Sequence, residues 1–267
     1  FKHVRLSAQW DTIESKKGEY DFRDLDWLMD QSIKSGAKVV LAVGRKTPRW
    51  PECHLPQWAK DMEYKEYRSS LLKYIQVVVN RYKNSPALEI WQIENEPFLA
   101  FGLCKVMSVE DLKEEIKLVK KIDNQHKVMI TDSGELSLWH KTAKAGDLFG
   151  TTMYRVVWSK SIGYFSYNWL PAAFYKFKLW VNNRDVDSAY VMELQAEPWI
   201  PDKPLVDTSL KDQYKSMSLK QFDKNIRYAA RTGMPRAYLW GAEWWYWIEK
   251  KKKVNDFSEY IAGLRKK

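Results

Sequence analysis

Short apolar runs alternate with helix-patterned stretches along this chain, and that alternation limits its fold more than any other feature. Residues 3–8, 38–43, 88–93, 128–131, 147–153, 189–194 and 236–240 read as strands. The run at 38–43 is apolar throughout after Lys38, as expected for a strand buried on both faces. Between the runs, residues 24–35 place Leu25, Leu28 and Ile33 for an inward helical face, with Gly36 as the stop. Residues 66–82 read as a long helix. Ser108-Val109-Glu110-Asp111 reads as a capping box before a helix carrying Leu112, Ile116 and Val119. Residues 136–145 read as a short helix, 154–180 as loop and helix, Ser218 as the cap of a helix to residue 231, and 257–264 as a closing helix.

Strand–helix alternation over this length argues for a parallel sheet with helical crossovers. The fold class is α/β, with a (β/α)8-type barrel preferred over a doubly wound open sheet, because no Gly-rich phosphate loop follows the first strand. The whole of residues 1–267 is read as a single barrel domain. Seven strands are found where a barrel needs eight. Since an open barrel leaves hydrophobic edges unpaired, the first β-α unit is expected upstream of Phe1, and this chain supplies strands two to eight. The chain begins at Phe1 and shows no signal peptide or membrane span in these residues, so targeting is not read from them.

Two strand ends carry chemistry. Residues 90–93 run apolar into Glu94-Asn95-Glu96-Pro97, and residues 189–192 run into Glu193. Two carboxyls at strand C-terminal ends are what glycosidic bond cleavage needs: one protonates the leaving oxygen, the other attacks the sugar carbon. Glu197, also before a proline and on the same side of an extended strand, rivals Glu193, which directly ends the apolar run. The 14 Trp and 15 Tyr suit stacking on sugar C–H faces, although a single Trp more often fills a core. With 4 His and no zinc-spaced pair, no metal is called for. The formal charge of +10 gathers in runs such as residues 250–253 and Lys266-Lys267, read first as a solvated basic face. No nucleic-acid recognition motif accompanies it, so a nucleic-acid partner is not expected.

At this point the residues resemble a known group. His3-Val4-Arg5-Leu6, Trp10-Asp11-Thr12-Ile13-Glu14, Gly18-Glu19-Tyr20-Asp21-Phe22, Leu25-Asp26 and Gly36-Ala37-Lys38-Val39 are similar to the run found in clan A glycoside hydrolases, which hold cellulases, mannanases and β-galactosidases on (β/α)8 barrels. Asn95-Glu96-Pro97 resembles the clan's acid/base motif, and Glu193 its nucleophile. The resemblance implies a retaining two-glutamate hydrolase of oligosaccharides, polysaccharides or glycoconjugates, with carboxyls about 5–5.5 Å apart and no cofactor. It implies that Asn95 bonds the sugar 2-hydroxyl, that Arg5 bonds the nucleophile, that Tyr154 contacts it, and that Trp240 forms a platform under the sugar. His54 and Trp50 are expected to line the cleft, and Gln195, Glu197 and Glu243 to bind hydroxyls or support the site. A transglycosidase, or a glycan-binding barrel without turnover, would keep the same residues.

Cys53 and Cys104 follow neighbouring strands. A disulfide at the cleft rim and two free thiols both remain open, the first implying an oxidising, extracytoplasmic or cell-envelope location. The aromatic, basic segment 164–180 is either a loop and helix packed on the barrel or a membrane-surface contact.

Overall fold

The computed structural model describes residues 1–201 and 203–264; the expected basic pair Lys266-Lys267 lies outside them. The strands are β1 (His3–Gln9), β2 (Lys38–Gly44), β3 (Leu88–Ile93), β4 (Lys127–Asp132), β5 (Leu148–Met153), the hairpin β6 (Val156–Ser159) and β7 (Gly163–Ser166), β8 (Ala189–Gln195) and β9 (Ala237–Trp240). The helices are α1 (Trp10–Ile13), α2 (Arg23–Ser35), α3 (Tyr64–Tyr82), α4 (Val109–Ile122), α5 (Ala173–Val181), α6 (Leu210–Gln213), α7 (Leu219–Arg231), α8 (Ala242–Lys252) and α9 (Asp256–Leu264). One seven-stranded sheet takes its strands in chain order, β1-β2-β3-β4-β5-β8-β9, the hairpin standing apart. This is the order of strands two to eight of a (β/α)8 barrel, which the alternation predicts. The chain divides into two compact units, Phe1–Gly150 and the residues from Thr151 onward.

In the first unit β1, β2, β3 and β4 pair in parallel, with Ser7, Ala42 and Gln92 in one register and Gln92 opposite Met129. All of β2 after Lys38 is buried, because helices cover the strand's outer face and side chains fill the other. Helix α3 turns Leu71, Tyr74, Ile75, Val78, Val79 and Tyr82 inward at helical spacing. Trp10 is fully buried and stacks on Tyr74 at 5.5 Å. Its indole N–H donates to Glu14 Oε2 at 2.7 Å, while Glu14 Oε1 accepts the Gly18 N–H at 2.8 Å. The Trp-Asp-Thr-Ile-Glu…Gly run is therefore a local fastening of the turn after β1.

Two expectations in this unit need correction. Helix α2 ends at Gly36 in the left-handed region, as expected. Its buried face, however, is Leu25, Met29 and Ser32, while Leu28 and Ile33 remain 36% and 42% exposed. At 100° per residue those two lie on either flank of the stripe rather than at its centre. Residues 136–145, expected as a helix, are turns. Trp139 has φ 68°, which no helix accepts, and its ring is buried against Phe149 at 4.9 Å with the indole N–H on the Ser133 carbonyl. Burial of one large ring outweighs local helix propensity there, and Leu136 and Leu138 are left exposed.

In the second unit, residues 154–180 contain the antiparallel β6–β7 hairpin before α5, where loop and helix were expected. Strand β8 is buried along its length and pairs in parallel with β9. Ala196, Met217, Phe222, Trp244, Trp245, Ile248, Phe257 and Ile261 form a core around α7, α8 and α9. Helix α8, not foreseen, starts directly after β9 and Gly241. The Lys250 to Lys252 run ends it, exposed, in keeping with a solvated basic face and with the C-terminal helix dipole.

A buried acidic pair sits under the end of β3. Glu94 and Glu115 are both fully buried, on the chain just after β3 and on α4. Burial pushes Glu115 well above the usual carboxylate range, and the neighbouring Glu94 carboxylate adds to it, against the Arg68 guanidinium on Oε1. Arg68 also meets Glu114 Oε2 at 2.9 Å, so its charge does not rest on Glu115 alone. The folded state thus holds a proton that the unfolded chain releases above the ordinary 4.5, so this pair's contribution to stability is complete at low pH and lost as pH rises. Glu115→Gln, neutral at every pH, should flatten that part of the urea midpoint against pH; an unchanged slope would show that the proton is not there. Independently, Ser108 Oγ accepts the Asp111 N–H at 3.0 Å at the N-cap of α4, and Ser108→Ala should lower unfolding free energy by about 1 kcal/mol in urea titration.

Candidate active site

Glu94, Asn95 and Glu96 leave β3 in an unusual backbone. Glu94 has φ 58° and Glu96 φ 42°, in the left-handed region that non-glycine residues seldom enter. Two such residues so close together cost about 1–3 kcal/mol each, and persist only where the surroundings dictate them. The surroundings here are specific. Glu94 Oε1 accepts the Arg45 N–H at 2.9 Å and Oε2 the Lys46 N–H at 2.7 Å, tying the end of β3 to the chain after β2. Gly44 has φ 139°, and a Cβ there would lie 2.5 Å from Glu94 Oε1, so this contact requires glycine. The Asn95 N–H donates to the Lys46 carbonyl at 2.6 Å, and the Glu96 N–H to Thr131 Oγ1, at the end of β4, at 3.0 Å.

Lys46 completes the cradle. It is 3% exposed, and its Nζ donates to the Glu96 carbonyl at 3.0 Å and the Leu99 carbonyl at 3.1 Å. Glu52 Oε2 lies 3.6 Å away and supplies its counter-charge. Glu96 itself is 5% exposed. Lys46, Glu94 and Glu52 were not among the expected site residues. Glu94 stood in plain view, two positions before Glu96, and its carboxylate next to an acid candidate was the available signal.

Arg5 on β1 donates through Nε to Gln92 Oε1 and through Nη2 to Asn95 Oδ1, both at 2.8 Å. The path between them is open because the residues in register with Gln92, Ser7 and Ala42, are small. Asn95 is fully buried, and Oδ1 also accepts from Thr131 Oγ1 at 3.2 Å. Arg5 and Thr131 thus turn the amide oxygen inward and leave the Nδ2 hydrogens as the donors, with Glu52 Oε2 at 3.5 Å.

The rest of the first-unit rim is built on a covalent tie. Cys53 and Cys104 are joined as a disulfide, the first of the two alternatives open from sequence. Trp50, 69% exposed, meets the Phe101 ring edge-on at 6.1 Å beside it. His54 is buried. Its Nδ1 lies 3.4 Å from Asp11 Oδ1 and its Nε2 near the Arg49 carbonyl at 3.3 Å, so it links the loops after β1 and β2.

In the second unit Glu193 lies within β8, 3% exposed, and its Oε2 accepts the Tyr154 hydroxyl at 2.9 Å. Tyr154, which follows β5, is set by Trp199, whose ring it meets edge-on at 5.5 Å. Gln195, expected either to bind a hydroxyl or to support the site, makes contacts of the second kind. Oε1 accepts the N–H groups of Arg155 and Val156, and Nε2 donates to the Val156 carbonyl. Its amide holds the start of β6, and through it the residue after Tyr154, so Gln195 is a positioning residue. Glu197 follows β8, where Gly241 approaches so closely that a Cβ would lie 2.5 Å from Glu197 Cβ. Trp240 ends β9 in register with Gln195, half-buried, and Glu243 stands exposed in the first turn of α8. Among the described residues no cluster of His, Cys, Asp and Glu has the form of a metal site.

Known proteins resemble this chain in sequence and in fold. The model of Glycosyl hydrolase family 10 matches residues 6–114, the stretch from β1 into α4 that contains Glu96. A β-galactosidase of Arthrobacter sp is 31% identical over 108 residues, 33% of this chain and 15% of its own length. A β-galactosidase from the psychrophilic Marinomonas ef1 superposes on 90% of this chain with TM-score 0.62 at 14% identity, over 49% of its own chain. Xylanase 10B from Thermotoga maritima superposes on 92% with TM-score 0.61 at 16% identity, over 77% of its own chain. This chain therefore spans a small part of the sequence relative and about half of the first structure. Family model and sequence relative make the first part of the chain similar to glycoside hydrolases, and the strand order gives the chain the fold of a (β/α)8-type barrel that lacks one unit.

Proposed function

We propose that this chain is the catalytic part of a retaining glycosidase acting on an oligosaccharide, a polysaccharide or a glycoconjugate. The observation that carries the reading is the pair of buried glutamates, Glu96 just past β3 and Glu193 in β8, each fastened by polar contacts within its own unit. Strand C-terminal ends are where barrel enzymes keep their chemistry.

Glu96 gives its proton to the departing glycosidic oxygen. Glu193 attacks the anomeric carbon, the C–O bond to the leaving group breaks, and a glycosyl-enzyme ester forms. Glu96, now a carboxylate, takes a proton from water as that water attacks the same carbon and releases Glu193. Tyr154 donates to the Glu193 oxygen at rest and holds the carboxylate in one orientation. Asn95, with its oxygen engaged by Arg5, offers its amide hydrogens to a sugar hydroxyl. Lys46 acts through Glu96: its two carbonyl contacts keep that residue in the left-handed backbone that aims the side chain. Trp240 and Trp50 are apolar faces suited to sugar rings. The disulfide agrees with an oxidising location outside the cytoplasm or in the cell envelope.

The reading predicts that Glu193→Gln abolishes turnover without unfolding the protein, and that NMR of the first-formed product shows the anomeric configuration of the substrate. Inversion would overturn the double displacement. Glu96→Ala should slow aryl glycosides with poor leaving groups by about 10²–10⁴-fold, spare strongly activated ones in the glycosylation step, and recover turnover with azide as external nucleophile. Lys46→Met should show the same leaving-group dependence to a smaller degree. A loss equal across all leaving groups would assign Lys46 to folding alone.

A further inference from the structure

Helix α5 presents an outer face that a solvated helix would not have. Its inner face is ordinary: Tyr175 and Leu179 are buried, and the Tyr175 ring meets Tyr228 of α7 at 6.0 Å. On the opposite side Phe177 is 57% exposed, Trp180 72% and Val181 48%, with the Phe177 and Trp180 rings 5.9 Å apart. An amphipathic surface helix places polar residues there. Contiguous exposed aromatics of this kind mark contact surfaces, whereas isolated ones need no explanation.

Charge narrows the partner. From Tyr154 to Arg184 the chain carries Arg155, Lys160, Lys176, Lys178 and Arg184, and no Asp or Glu. Arg155 and Lys178 are buried, but Lys160 and Lys176 are exposed, and Lys176 projects beside Gly233 at the end of α7. Helix α7, packed on α5, adds the exposed cations Lys220, Lys224, Arg227 and Arg231 against one acid, Asp223, which Arg227 engages. Ile162 and Trp169, 66% and 72% exposed, lie in the same acid-free segment. Tryptophan beside lysine is the composition that settles at the boundary of lipid headgroups and acyl chains. A second copy of the chain is the poorer occupant, because an isologous contact would press two cationic faces together. Among the described residues no helix is long and apolar enough to cross a membrane.

We infer that the outer face of α5, with Phe177, Trp180 and Val181 as the inserting side chains and the exposed cations Lys176 of α5 and Lys220, Lys224 and Arg231 of the adjoining α7 as headgroup contacts, docks this protein on the surface of an anionic phospholipid bilayer. This places its substrates near a lipid surface and does not depend on the glycosidase reading.

Co-sedimentation tests the inference with vesicles of phosphatidylcholine alone and of phosphatidylcholine mixed with phosphatidylglycerol, at low and high salt. The wild-type protein should partition onto the mixed vesicles and release with salt. Trp180→Ser and Phe177→Ser should each weaken partitioning about tenfold, the loss of one interfacial aromatic, with circular dichroism unchanged because both rings are exposed. Trp27→Ser, at an exposed aromatic of α2, should leave partitioning unchanged. No binding to either vesicle overturns the inference, as does binding indifferent to Trp180 and Phe177. A solution dimer in light scattering that Trp180→Ser dissolves would give the face to a second copy instead.

Discussion

The fastening on which the candidate site depends is one carboxylate receiving two backbone N–H groups. Glu94 accepts from Arg45 and Lys46 and so binds the end of β3 to the chain leaving β2. A buried carboxylate is expensive to desolvate and is retained only when its oxygens are satisfied. Here the satisfaction comes from backbone of a neighbouring strand, from Glu115 beneath, and from the close approach that Gly44 permits. Once Lys46 is pinned, its ammonium meets the Glu96 carbonyl, and the left-handed turn of Glu96 follows.

The two site glutamates are set by different means. Glu96 sits on strained backbone held from several directions, by Lys46, Thr131 and the Asn95 contact to Lys46. Glu193 sits on regular strand and is oriented through its side chain by Tyr154. In the proposed chemistry these are fitting arrangements. A group that first donates and later accepts a proton needs its direction maintained across both charge states, and backbone placement does not change with protonation. A nucleophile needs its carboxylate held in one orientation, to which the Tyr154 hydroxyl on Oε2 contributes.

The outer surface follows a separate logic. Helices α5 and α7 bury Tyr175, Leu179, Phe222 and Ala229 on their inner faces. Beyond that burial, α5 spends its solvent face on aromatics, an arrangement that the stability of the barrel does not call for.

The sequence by itself determined what is local or periodic. Strand after helix, the all-apolar β2, the Ser108 cap and the left-handed Gly36 stop are each written within a few residues, and they specify a parallel barrel sheet with its carboxylates at strand ends. Residues 96 and 193 stand out as candidates for the same reason, as charges that interrupt apolar runs. What only tertiary structure decided involves partners remote in the chain. Lys46 meets Glu96 across 50 positions and Arg5 meets Asn95 across 90, distances that strand register closes and periodicity cannot express. Gln195 was open to binding a sugar hydroxyl or to supporting the site, and its amide lies on the backbone of residues 155 and 156, a contact that only the placing of β6 beside it reveals. Residues 136–145 have helical composition, yet the burial of Trp139 on Phe149 takes precedence, since packing a large ring contributes more than the propensity of a short helix.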